Sequence, residues 1–326
     1  MKILIHVTSE LPPKEYGGIN RVVWGLGKTL VKKGNKVVFL APEGSRCDFA
    51  DVIPLDRSLP IDDQVPDDVD IVHLNGELEV KPSKPFLYTQ HGNFNRYPLP
   101  KNTVFVSRRH AERHGSECFV HNGLDWSEYP TPELNHPRDT FHFLGNAAWR
   151  IKNVKGAIRS VLKTRSETLE VLGGRRLNFR MGFRFTLSPR IHFHGMVNDR
   201  EKAVVLNRSK GLVFPVRWDE PFGLAIIESL YFGCPVFGSP HGSLPELIKP
   251  EFGALVTNSD DMAVLLQDTE RFSREACHVY ARDHFNAEVM TERYLTLYRH
   301  ILDGKTLAET EPAMVGGHIK QFLEWN

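Results

Sequence analysis

The stretch Phe214-Pro-Val-Arg-Trp-Asp-Glu220-Pro-Phe-Gly-Leu224-Ala-Ile-Ile-Glu228-Ser-Leu-Tyr-Phe-Gly-Cys-Pro-Val236 decides the reading of this chain. It begins at the end of an apolar run, residues 211–216, that predicts a strand. Pro221 presets φ for a helix start, and Gly223 lets the backbone approach a ligand closely. A helix is predicted over 224–232, Gly233 stops it, and a second short strand follows at 235–238. The unit is therefore strand, loop, helix, strand, the repeating module of a parallel sheet. It sets Glu220 on the loop at the carboxyl end of a strand and Glu228 about two turns into the helix. Between them lies a helix N-terminus, whose first N–H groups have no intrahelical partner and carry positive dipole.

Working outward, the same alternation fills the chain. Residues 2–7 form a short β-branched run suited to a buried parallel strand. A Pro/Gly loop follows, then Val22, Val23, Leu26, Leu30 and Val31 at helical spacing. Gly34 ends that helix, and 36–40 is the next strand. Further strands are predicted at 70–74, 86–90, 103–107 and 118–121. The stretch 129–138, with Pro130, Pro132 and Pro137 and no periodicity, reads as a linker. A second alternation runs from 140, with strands at 140–144, 168–172, 190–194 and 254–256. Helices are expected at 154–163, 259–270 and 287–302. The expected class is α/β, with two Rossmann-like doubly wound domains facing across a cleft. Residues 1–137 would form the first domain and 138–326 the second, with a tail from Asp303 packing back on the first.

Composition excludes several alternatives. The 326 residues are enough for two ordinary domains, and 41% hydrophobic with 25% charged residues is average for a soluble protein. A net charge of +1 supplies no global field for nucleic acid. The four cysteines are scattered without a CxxC, against a disulfide scaffold or a structural zinc site. The initial apolar run is too short for a signal peptide, and no run nears the ~20 apolar residues of a membrane span. A cytoplasmic location is expected, and peripheral contact with the inner face of a membrane is compatible with it. Oligomeric state is not readable.

The chemistry of the Glu220–Glu228 segment suits a sugar nucleotide: one carboxylate for sugar hydroxyls, one for ribose hydroxyls, and amides for negative oxygens. Glu220 and Glu228 enclose seven residues. With the flanking Glu-Pro-Phe-Gly-Leu and Phe-Gly-Cys-Pro-Val, and with His241-Gly-Ser-Leu-Pro-Glu246, the segment resembles the E-x7-E region of retaining glycosyltransferases of the GT4 family, which have the GT-B fold. The resemblance implies a nucleoside-diphosphate sugar as donor and no metal or other cofactor. It implies as acceptor a glycan, a lipid-linked molecule or a small metabolite.

The resemblance carries over residue by residue. Glu220 would grip the donor sugar and Glu228 the ribose, with Pro221, Phe222, Gly223 and Leu224 lining the donor. Gly17 and Gly18, in Tyr16-Gly-Gly-Ile19, resemble the loop that approaches the donor phosphate. Lys152, before Asn153, resembles the lysine that stabilises the leaving diphosphate, with Lys155-Gly156 a competing alignment. The family arginine after Gly145 is replaced by Asn146, and Arg150 is the candidate to supply that charge. His91, in Thr89-Gln-His-Gly92, resembles a histidine near the reacting end of the sugar. A nucleotide-sugar epimerase of the same fold and a non-catalytic sugar-nucleotide-binding protein are the alternative readings. His192 with His194, His110 with His114, and the basic run Arg175, Arg176, Arg180, Arg184 and Arg190 read as solvated or core positions rather than metal or phosphate ligands.

Overall fold

A computed structural model describes residues 1–13, 18–76, 80–179, 183–315 and 322–326. Tyr16, Gly17 and Arg180 lie outside them. The chain divides into two units, Met1–Trp126 with Phe285–His318, and Ser127–His284 with Ile319–Asn326.

Unit 1 begins β1 (Lys2–His6), α1 (Gly18–Lys32), β2 (Lys36–Ala41), β3 (Asp51–Pro54), β4 (Ile71–Leu74), β5 (Phe86–Gln90), β6 (Thr103–Phe105) and α2 (Arg108–Glu112). The strands form one parallel sheet in the order β3-β2-β1-β4-β5-β6. The central strands are buried on both faces, which explains why they are mostly apolar, with His73 of β4 an exception. All strands point the same way, so His6, Leu74 and Gln90 reach one edge, and His91 follows directly.

Unit 2 contains β7 (Thr140–Leu144), α3 (Val154–Lys163), β8 (Leu169–Leu172), β9 (Leu177–Asn178), β10 (Arg184–Phe185), β11 (Ile191–Gly195), α4 (Asp199–Asn207), β12 (Ser209–Phe214), α5 (Leu224–Tyr231), β13 (Val236–Gly238), α6 (Leu244–Leu247), β14 (Gly253–Leu255), α7 (Ser259–Leu265) and α8 (Arg274–His284). Its parallel sheet has the order β11-β8-β7-β12-β13-β14, and β9 pairs only with β10. Phe141, Phe143, Val213 and Phe237 of the sheet pack with Ala157 and Val161 of α3 and with Trp325. The repeated strand order is the doubly wound one, in which ligands bind beyond the carboxyl ends of the strands.

The domain division differs from the sequence boundary at 137/138. The last helix, α9 (Ala287–Leu302), belongs to unit 1 although it follows all of unit 2. Its tyrosines explain why. Tyr298 OH lies 2.6 Å from His73 Nδ1, and His73 Nε2 lies 2.7 Å from the Thr89 hydroxyl. That hydroxyl also meets Tyr294 OH at 3.0 Å. These buried polar groups on β4 and β5 pair with each other and with α9, and losing the α9 partners would leave them under-satisfied at a cost larger than the bonds' net contribution. The Pro-rich stretch after Trp126 is also more firmly held than a linker. Arg138 donates to the carbonyls of Ser209 and Phe232 at 2.6 and 2.7 Å, fastening it within unit 2.

Other elements depart locally. Residues 118–121 form no strand but one parallel bridge, Phe105 with Phe119. The basic run is not merely solvated: Arg184 is buried, and Arg190 donates to the carbonyls of Val161, Leu162, Thr164 and Glu167. His192 and His194 share one face, as β-alternation requires, and both meet Glu170 on the neighbouring strand, at 2.9 and 2.5 Å. His114 Nδ1 donates to His110 O at 3.0 Å within unit 1. Among the described residues no group of three or more His, Cys, Asp or Glu side chains is placed to hold a metal, and no helix is long and apolar enough to cross a membrane.

Candidate functional site

The site in unit 2 begins with the end of β12. Val216 is buried there, and the loop turns so that Glu220 is buried against the start of α5. Gly223 is the residue before that helix, at φ 90°, and offers no side chain to cap it. The loop is fixed from beneath by 241–243. Ser243 N donates to Glu220 O at 2.9 Å, and Ser243 Oγ donates to Phe222 O at 2.6 Å. Gly242, at φ 61°, passes so close that a Cβ there would lie 2.2 Å from Glu220 N. The resemblance marked this segment; its task as a clamp on the Glu220 loop is visible only in three dimensions.

The Glu220 carboxylate takes two donors on one oxygen. Lys152 Nζ lies 2.5 Å from Oε2, and Trp218 Nε1 lies 2.8 Å from the same atom. Oε1 has no hydrogen-bond partner among the described residues. Lys152 sits on a single 3-10 turn, Arg150–Lys152, closed by Asn153 in the left-handed region, and its ammonium lies 5.0 Å from the Trp218 ring centroid. Asn153 then caps α3, accepting from Gly156 N at 3.0 Å.

Glu228 repeats the arrangement. Its Oε1 accepts from Tyr129 OH at 2.9 Å and from the Lys202 ammonium, and Lys202 also lies 5.1 Å from the Tyr129 ring centroid. Oε2 has no partner among the described residues. Each of the two glutamates therefore has one oxygen anchored by a lysine and an aromatic N–H or O–H, and the other uncommitted. The anchors cost the carboxylate little freedom to accept further bonds, since an ionised carboxylate has about four acceptor positions.

Trp218, Tyr129 and Lys202 were not among the residues predicted from sequence. Trp218 was within reach, two positions before Glu220. Tyr129 was read as linker. Lys202 lies on α4, a helix the apolar pattern did not indicate, although Asn198 and Glu201 form a capping box that signals its start.

The other predicted residues fall as follows. Asn146 bonds its own loop, its Oδ1 accepting from Ala148 N at 3.0 Å, so it shapes a turn where the family has a charge. Arg150 lies 4.8 Å from the Phe322 ring centroid, in a cavity whose walls include neither Lys152 nor Glu220. Lys155 donates to Phe183 O at 3.2 Å, so Lys152 is the one of the two lysines that meets Glu220. Phe222, between Pro221 and Gly223, is buried, and Leu224 follows Gly223 as the first residue of α5.

In unit 1, Gly18 is the first residue of α1. His91 donates from Nε2 to Asn75 Oδ1 at 2.9 Å, and Asn75 donates to His6 O at 3.3 Å. His91 Nδ1 is buried and has no hydrogen-bond partner among the described residues. Burial holds the imidazole down to about 4, so it is neutral and presents a lone pair at Nδ1.

Residues 131–276 match the family described as Glycosyl transferases group 1. That segment contains Lys152, Lys202, Glu220 and Glu228. An uncharacterized 41.2 kDa protein in the cps region of Klebsiella pneumoniae is 28% identical over 114 residues, 33% of this chain and 32% of that protein. The O-antigen chain mannosyltransferase C of Escherichia coli is 26% identical over 125 residues, 35% of this chain and 34% of its own. The matches thus span about a third of each relative. Solved structures agree over nearly the whole chain. AviGT4, a glycosyltransferase involved in avilamycin A biosynthesis, has a TM-score of 0.77 at 20% identity, covering 94% of this chain and 99% of that one. Sucrose-phosphate synthase from Thermosynechococcus elongatus has 0.72 at 17%, covering 93% and 100%. Anabaena HepE in complex with UDP-glucose has 0.62 at 16%, covering 93% and 99%. The fold is that of GT-B glycosyltransferases.

Proposed function

We propose that this protein is a retaining glycosyltransferase of glycan or glycoconjugate biosynthesis, moving a sugar from a nucleoside-diphosphate sugar to an acceptor hydroxyl. The observation that carries the reading is the matched pair of glutamates, each fixed through one oxygen and open at the other, on either side of the α5 N-terminus. Glu220 Oε1 would accept from sugar hydroxyls and Glu228 Oε2 from the ribose. Lys152 would stabilise the diphosphate as its charge grows, which is electrostatic stabilisation by a preorganised group. The bond from the anomeric carbon to phosphate breaks while that to the acceptor oxygen forms on the same face, and the acceptor proton passes to the leaving phosphate oxygen. Lys152 supplies the positive charge in this scheme, so no metal is assigned. His91, with its free Nδ1 lone pair, is retained as a candidate acceptor for a donor sugar hydroxyl.

The solved complex of the structural relative HepE with UDP-glucose supports the donor class. The test begins with thermal shifts against nucleoside diphosphates and their sugars, because a ligand bound to the native state raises its melting temperature. Nucleoside diphosphate release is then followed with acceptors for wild type, K152A and E220Q. Loss of one preorganised group of this kind lowers kcat about 10²–10³-fold. Full turnover by E220Q would remove Glu220 from the mechanism, and an altered sugar formed without acceptor would identify an epimerase.

A further inference from the structure

Beside α3, and apart from Lys152 and the two glutamates, unit 2 has a cavity of about 430 Å³. Its cationic lining residues are Arg150, Lys155, Arg159, Arg184 and Arg217. It has no acidic lining residue, and none of the five cations is ion-paired among the described residues. Elsewhere in the unit, lysines and arginines meet carboxylates, as in Lys163 with Asp260, Lys210 with Glu167 and Arg208 with Asp139.

Arg184 is the decisive member. It is only 6% exposed, and its Nε is buried without a partner. Among the described residues its other nitrogens donate to the Arg175 carbonyl at 2.8 Å and the Thr186 hydroxyl at 3.4 Å, and to no carboxylate. A buried guanidinium without a counter-anion is costly, and an anion in the cavity would remove that cost. Arginine's planar fork matches phosphate oxygens, and three further guanidinium groups line the same space.

A second cavity of about 600 Å³ adjoins it, the two sharing Lys155, Arg159, Phe183 and Arg184 as lining residues. The second adds the apolar side chains of Ile158, Leu162, Phe185 and Leu187. Phe183, Phe185 and Leu187 are 63%, 54% and 77% exposed. A cationic chamber thus lies beside an apolar groove lined by unburied phenyl and leucyl groups.

We propose that these cavities form a second ligand site, separate from the Glu220 site, for a phosphate or diphosphate group, with the groove receiving an apolar portion attached to it. The phosphate is either the headgroup of an anionic lipid or part of a free phosphorylated molecule. Two probes of the full-length protein distinguish these sources: inorganic pyrophosphate in calorimetric titration, and co-sedimentation with phosphatidylcholine vesicles with and without phosphatidylglycerol. The variants are R184Q, R159E, K152A and, as a control of equal charge change on the exposed side of α4, R200E. Arg159 is exposed, so R159E keeps the test decisive if R184Q does not fold.

The expected result is pyrophosphate binding equal in wild type and R200E, still present in K152A through the α3 site, and weakened about tenfold or more at that site in R159E and R184Q. Retention on phosphatidylglycerol vesicles, lost in the same two variants only, identifies a lipid source; pyrophosphate binding without retention identifies a free one. The proposal is overturned if neither probe binds, if R159E and R184Q bind like wild type, or if only K152A loses pyrophosphate, which would place the anion at the Glu220 site.

Discussion

Replacing Gly242 with alanine tests whether the clamp beneath Glu220 sets the rate. At φ 61° the added Cβ would lie 2.2 Å from Glu220 N and 2.4 Å from Glu220 O. Ordinary contact begins near 3.4 Å, so one of the two backbones must retreat by about 1.2 Å. Neither is free to do so alone, because Ser243 is bonded to both Glu220 O and Phe222 O. The shift is therefore passed to the Glu220 carboxylate and to its contacts with Lys152 and Trp218. Misplacing a positioning group by about 1 Å costs on the order of 10²-fold in rate. The left-handed alanine adds about 1–2 kcal/mol of strain, which in a unit of this size corresponds to about 2–8 °C in melting temperature. Nucleoside diphosphate release under saturating donor and acceptor, with calorimetry on the same sample, reads both quantities. A variant that melts lower as expected yet turns over within about twofold of wild type would refute the coupling between Gly242 and Glu220.

Two further outcomes follow from the geometry. In unit 1, burial holds His6 and His91 down to about 4 and His73 and His110 down to about 3; in unit 2, His142 alone is held down to about 3. Below pH 6.5 the unfolded chain takes up protons that these folded imidazoles refuse, so each contributes stability above 6.5 that is lost at ~1.4 kcal/mol per pH unit down to its folded value. Hydrogen exchange at pH 7 and pH 5 should show unit 1 losing protection first, and equal losses in both units would contradict this. In G123A the new Cβ would lie 2.1 Å from Asn286 O and 3.0 Å from Met290 Cβ, which should loosen the start of α9. Limited proteolysis should then cut near residues 286–290 faster than in wild type; an unchanged cleavage pattern would show that the turn yields instead.

Sequence was most informative where burial on both faces leaves an uninterrupted apolar run. The strands at Lys2–His6 and Lys36–Ala41 announce themselves this way, with Ile3–Ile5 and Val37–Ala41 as apolar runs, and the repeated βα alternation follows. It was least informative where polar residues do structural work. Helices α4 and α8 carry few apolar residues, and the β9–β10 hairpin reads as a basic loop because its phenylalanines remain unburied. The Glu220–Glu228 pair was legible because both lie in one strand–loop–helix segment, whereas Lys152, 68 positions from Glu220, entered only through the resemblance. Tyr129 and Lys202 were not legible, since they reach Glu228 from 99 and 26 positions away, and no local pattern encodes such a meeting. The place of α9 was hidden for the same reason: His73 gives no sign in sequence that its partner is Tyr298.

That late partner has a bearing on synthesis. A ribosome releases β1 through β6 first, yet His73 and Thr89 must wait for Tyr294 and Tyr298, after some two hundred intervening residues have emerged. The half of the protein that is translated earliest is thus finished last, and a nascent chain arrested before residue 287 would expose the unsatisfied side of its first sheet to chaperones.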